Sequence, residues 1–194
     1  MVPKHLNSVA IASRSGYVTC SSKAVYSAGG ATGDVLTFRP DGGLQENIQT
    51  VSYVGNQGQR DDGSTMDFGG LRHGAHGANL SPDGKVLFVP DMCVFAPRSS
   101  ACFQDISHSG RNCVWCMEVD SETGKLTLGS QSIAPRPDDG PRHVWLHPSG
   151  DILYSLQEHT SMIDVFAVKG SQLTWLEGVK IIPDGPSSLA LQSR

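Results

Sequence analysis

The chain has no apolar run approaching the roughly twenty residues that a membrane-spanning helix needs. Its start, Met1-Val2-Pro3-Lys4-His5 followed by the mixed stretch 6–12, is too short and too polar for a secretory leader. A cytoplasmic, membrane-free protein is the resulting expectation. Positive charge is also scarce: 15 lysines and arginines stand against 19 aspartates and glutamates, a net charge of -4. That balance lacks the basic footprint of a nucleic-acid binder. An anionic ligand must then be held by a few placed cations, not by a global field. The five cysteines are odd in number and irregular in spacing, which gives no disulfide framework. Cys113 and Cys116 form a lone CxxC inside 112–119, which reads as a strand. Residues three apart on a strand face opposite ways, so both read as structural cysteines. The histidines complete no metal site by their spacing, and no metal or cofactor is expected. No segment carries a helical period.

Glycine is abundant, with 22 residues, many of them at turn positions. Laid on itself, the chain repeats. Residues 76–89 align with 142–155, matching Pro82 with Pro148, Gly84 with Gly150, Leu87 with Leu153 and Phe88 with Tyr154. Each copy is a strand, a Pro-x-Gly turn and a second strand, which is a hairpin pattern. A third strand follows at 114–119 and 163–168, with an earlier copy at 35–38. A short fourth strand follows at Leu44 onward, 125–128 and 172–176. Four short strands per unit predict a propeller blade, so the expected fold class is all-β, with strands over 84–92 and 150–158. The first 23 residues fit the repeat poorly, which divides the chain into a segment 1–23 and a partial propeller 24–194.

The repeat is regular only after one correction. His76 to Arg142 spans 66 residues, whereas Met117 to Phe166 spans 49. The 17 residues 93–109 show no strand alternation, and removing them restores the 49-residue interval. They read as an insertion, irregular and outside the sheet ladder. A long surface loop and a short unspliced in-frame intron both remain open. Residues 55–70, rich in Gly, Gln, Asp and Ser, also have loop composition.

The stretch His76-Gly77-x-x-x-Ser81-Pro82-Asp83-Gly84 with Val89-Pro90-Asp91-Met92 resembles the first signature of the lactonase-like seven-bladed β-propellers. Gly140-Pro141-Arg142-His143-Val144-Trp145-Leu146-His147-Pro148-Ser149-Gly150, with 153–158, resembles the second. Within the family the chain is most similar to the carboxy-cis,cis-muconate cyclases, and Gly33-Asp34-Val35-Leu36 and 46–53 support that branch. Another branch contains 6-phosphogluconolactonases. The resemblance covers residues 24–185 without the insertion. It implies a cofactor-independent cycloisomerase of aromatic-compound catabolism acting on a small carboxylated substrate, with His76, Arg142 and Glu158 lining the central channel. A second channel arginine of the family has no counterpart in this sequence.

The repeat agrees with that placement. His76 and Arg142 occupy one position in consecutive copies, and Glu158 returns beside Arg142 at the far end of the same hairpin. Arg142 suits bidentate carboxylate binding, or it is a structural partner of Glu158. Glu158 is read as a general acid or base, or as a group orienting Arg142. His76 is read as a proton donor or acceptor. His143 and His147 are assigned to stabilising the second hairpin, and His73 is the alternative to His76. Seven blades of about 45 residues need over 300 residues, so three to four blades' worth of strands predict a truncated propeller with impaired turnover, or self-association through open edges. Lactone hydrolysis and a non-catalytic scaffold remain as alternative functions.

Overall fold

The computed structural model describes residues 3–12, 15–53, 74–92 and 112–183. The described elements are thirteen strands and no helix. In the first sheet β1 (Tyr17–Cys20), β2 (Ala24–Ala28), β3 (Thr32–Phe38) and β4 (Leu44–Ser52) lie in chain order. In the second, β5 (Gly74–Ala75) and β6 (Asn79–Leu80) both pair with β7 (Val86–Met92), followed by β8 (Cys113–Val119) and β9 (Leu126–Ile133). The third runs β10 (Pro141–Leu146), β11 (Ile152–Gln157), β12 (Met162–Lys169) and β13 (Gln172–Lys180). All pairings are antiparallel, giving three consecutive blades. The expected strands over 84–92 and 150–158 are present as β7 and β11.

The Pro-x-Gly turns act as their sequence predicts. Gly84 donates its N–H to Ser81 O, and Gly150 donates to His147 O, both at 2.8 Å. Both glycines sit at positive φ (71° and 82°), which other residues adopt only at a cost. The β1–β2 turn closes differently. Ser21 Oγ accepts the N–H groups of Lys23 and Ala24, and Ser21 N donates to Ala24 O. β1 therefore starts the first blade inside residues 1–23. The blade begins earlier than the repeat indicates, because a serine-capped turn replaces the proline and glycine.

The middle blade is covered on both sides. Leu87, Val89, Met117 and Leu126 pack against Ala24, Tyr26, Val35 and Tyr53 of the first blade. Val86, Phe88, Val114 and Cys116 pack against Val144, Leu146, Leu153 and Phe166 of the third. Every residue of β7 is buried, and its apolar run is continuous over 86–90, up to the buried Asp91. β11 alternates instead, burying Leu153, Ser155 and Gln157 on its inner side. Cys116 faces the third blade, and burial pushes its thiol up to about 11.

Residues 3–12 lie along the first blade. Asn7 exchanges two hydrogen bonds with the Leu44 backbone, and Ala12 N donates to the buried Asp34 carboxylate. Outer strands are tied across blades in the same way: Gln49 of β4 donates to Leu126 O and accepts from Leu126 N, each at 2.7 Å. Gln49→Ala leaves both buried backbone groups of Leu126 without that partner. It is expected to lower unfolding stability by about 1–3 kcal/mol, read from the urea midpoint. An unchanged midpoint would show that the tie contributes nothing.

The β7–β8 ladder runs without a break from Val86–Glu118 to Asp91–Cys113. The insertion 93–109, the loop 55–70 and His73 lie outside the described residues. No helix among the described residues is long and apolar enough to cross a membrane.

Candidate functional site

The inner strand of the third blade carries one residue too many. Pro141 pairs with Gln157, but the next pair is His143 with Leu156, so Arg142 has no opposite partner. The second blade repeats this. Ala75 pairs with Asp91 and Asn79 with Phe88, leaving His76, Gly77 and Ala78 opposite Val89 and Pro90 alone. His76 and Arg142 thus share one repeat position, where the ladder is interrupted, by a bulge at Arg142 and by the gap between β5 and β6 at His76. A bulge interrupts the ladder and re-aims the side chain that it carries. Pro90 suits the site opposite His76: it has no N–H to leave unpaired, while its carbonyl accepts His76 N at 3.0 Å.

Glu158 follows β11 and is fixed by the backbone. Its N–H donates to Gly140 O at 3.0 Å, two residues before Arg142. Gly140 is at positive φ (68°), and a Cβ there would stand 2.8 Å from the His159 ring. Asn112 Oδ1 accepts Gly140 N, and Asn112 Nδ2 donates to the Arg136 and Pro137 carbonyls. This scaffold brings the two side chains together: Arg142 Nη1 donates to Glu158 Oε2 at 2.5 Å. The side chains remain 45% and 38% exposed, so the pair contributes about 0–1 kcal/mol to stability.

Arg136 has a different role. It donates to Asp139 and Asp164, both fully buried, at 2.6 and 2.5 Å. Trp175 Nε1 and Thr160 Oγ1 donate to the same two carboxylates. Arg136 is thereby locked into the blade, whereas Arg142 faces solvent with donors to offer.

His76 is half-buried, with Nδ1 3.3 Å from Gly74 O. Burial holds its pKa below the usual imidazole value; the Gly74 carbonyl opposes this, Arg142 and His143 add to it, and Glu158 opposes it. The structure therefore brings His76, Arg142 and Glu158 within electrostatic reach of one another. It adds His143, which feels both Arg142 and Glu158. His147, by contrast, caps its turn through Ser149.

Residues 99–192 match a protein family described as a seven-bladed β-propeller lactonase. Muconate cycloisomerase 1 of Cutaneotrichosporon cutaneum is 46% identical over 173 residues, which cover 88% of this chain and 42% of that protein. A 6-phosphogluconolactonase of Erwinia tasmaniensis is 30% identical over 113 residues, 58% of this chain and 29% of that protein. The solved structure of a Pseudomonas aeruginosa periplasmic gluconolactonase superposes with a TM-score of 0.64 at 22% identity, covering 90% of this chain and 44% of that one. The chain spans less than half the length of each of these proteins. The resemblance is borne out, and the family match takes in the second signature hairpin.

Proposed function

We propose that this chain, a lactonase-like β-propeller in sequence and fold, supplies the reacting groups of a cofactor-independent cycloisomerase that closes cis,cis-muconate or its 3-carboxy derivative to a muconolactone. The observation that carries this reading is the Arg142–Glu158 pair beside half-buried His76. The 46% identity to a muconate cycloisomerase supports it. The substrate brings its own nucleophile. One carboxylate oxygen bonds to an alkene carbon, the π pair moves to the neighbouring carbon, and that carbon takes a proton. One C–O bond forms, one C=C bond is lost, one proton is consumed, and no electron carrier is needed. Arg142 holds the carboxylate with its planar fork, Glu158 orients Arg142, and His76 delivers the proton and regains it from solvent. Holding oxygen and alkene in register supplies much of the rate.

This assignment fixes a pH dependence. The donor is the protonated His76, whose pKa is held below the usual value of about 6.5. Lowering the pH through that depressed pKa populates the donor, so kcat/KM is expected to rise on the acid side of 6.5 and fall above it. His76→Gln is expected to remove that limb and slow turnover about 100-fold or more. A limb that survives the substitution assigns the proton to another group.

Lactone hydrolysis is the second reading, supported by the 30% identity to a 6-phosphogluconolactonase. It would use the same three residues with a positioned water. Turnover of 3-carboxymuconate, muconate and 6-phosphogluconolactone, compared side by side, separates the two. Faster hydrolysis of the lactone than closure of either muconate would overturn the cycloisomerase reading.

A further inference from the structure

Arg142 and His143 are consecutive and both exposed, although the residues after them alternate strictly between buried and exposed. The bulge accounts for this. His143 keeps the alternation of the strand, and the extra residue at Arg142 is turned out of the packed face. Two cationic or ionisable side chains therefore leave the inner strand side by side. Their facing groups are Glu158 from the end of β11 and His76 from the second blade. His143 also lines a cleft of about 300 Å³ with Tyr17 of β1, Asn79 of β6, Trp145 and Tyr154. Tyr17, Asn79 and His143 come from the inner strands of three consecutive blades. The repeat position of His143 is occupied in the second blade by Gly77. A Cβ there would stand 3.0 Å from the Pro90 ring and 3.4 Å from the Arg142 carbonyl oxygen, so the second blade brings no side chain into this space from that position and contributes Asn79 instead.

We propose that His143 is a second substrate-contacting residue, which binds the second carboxylate of an unsaturated dicarboxylate whose first carboxylate is held by Arg142. This rests on the functional reading above. The cleft matches such a ligand in its parts. The rings of Trp145 and Tyr154, with Val144, Leu156 and Ile163, suit a flat conjugated carbon chain, and the imidazole, the Tyr17 phenol and the Asn79 amide offer donors to a carboxylate; Arg142 is not among the lining residues and precedes His143 on the strand. In the free protein, burial and then Arg142 hold the His143 pKa below its usual value, while Glu158 opposes them. A carboxylate bound at the ring favours the imidazolium and moves that pKa upward.

The test uses the full chain with isotope-labelled histidine, titrated with pH by NMR, alone and with cis,cis-muconate or sorbate. Sorbate is a straight-chain diene with a single carboxylate. His143→Gln identifies the His143 resonance among the seven histidines. Muconate is expected to raise the His143 pKa and sorbate to leave it unchanged. By calorimetry His143→Gln is expected to bind muconate at least about tenfold more weakly, the loss of one charged hydrogen bond, and sorbate equally well. Arg142→Ala is expected to weaken both. An equal response to sorbate and muconate, or full muconate affinity in His143→Gln, overturns the proposal. Full affinity in Arg142→Ala overturns the functional reading instead. Failure of muconate to bind the wild-type chain overturns both.

Discussion

Arg142→Ala is expected to lower kcat/KM for muconate closure by about 100- to 1000-fold, the usual cost of removing one positioned charge donor from a developing anion. The same substitution should leave the urea midpoint almost unmoved, because the ion pair that it breaks is exposed on both sides. That contrast makes the variant informative: loss of rate without loss of stability locates Arg142 in the chemistry. Arg142→Lys should recover only part of the rate, since a point charge cannot reproduce the two parallel hydrogen bonds of a guanidinium. The measurement is the decay of the conjugated-diene absorbance, with unfolding followed on the same samples. Wild-type kinetics in Arg142→Ala would remove the arginine from the mechanism, and a matching fall in stability would make it a structural residue.

The largest stability effect is expected one blade earlier. Phe88 and Tyr154 occupy the same repeat position, yet Phe88 is fully buried between blades and Tyr154 is 37% exposed. Phe88→Ala opens a cavity among Val114, Cys116, Val144 and Leu153 and should cost about 3–5 kcal/mol. Tyr154→Ala gives up less burial and should cost about 1 kcal/mol. Urea unfolding of the two variants checks the ratio. Equal costs would mean that the third blade is as fully covered as the second, contrary to the burial found here.

Much of this was legible in the sequence because turn chemistry is local. Pro82 with Gly84 and Pro148 with Gly150 announce two hairpins, and the distance from Arg142 to Glu158 across one of them places the two side chains together. β1 was not legible, because Ser21 closes its turn with a hydroxyl and leaves no proline or glycine to align. The structural arginine was missed for a related reason. Arg136 reaches Asp164 from 28 residues away, and no short-range pattern marks that contact. His143 flanks the second hairpin and reads from the sequence as a residue that stabilises it. The sequence Pro141-Arg142-His143-Val144 looks the same with or without a bulge, and only the pairing with Leu156 and Gln157 distinguishes them.

The pairing around Arg142 also bears on how such a protein changes over generations. Pro141 and His143 already meet consecutive partners across the hairpin, so the ladder has the same register with or without the residue between them. Loss of a single codon there would erase the arginine and leave strand pairing as it stands. Gain of one codon at the matching place on another inner strand would add a side chain there in the same way. The side chain at such a position can thus be gained or lost through single-residue length changes, which counts of aligned substitutions do not register.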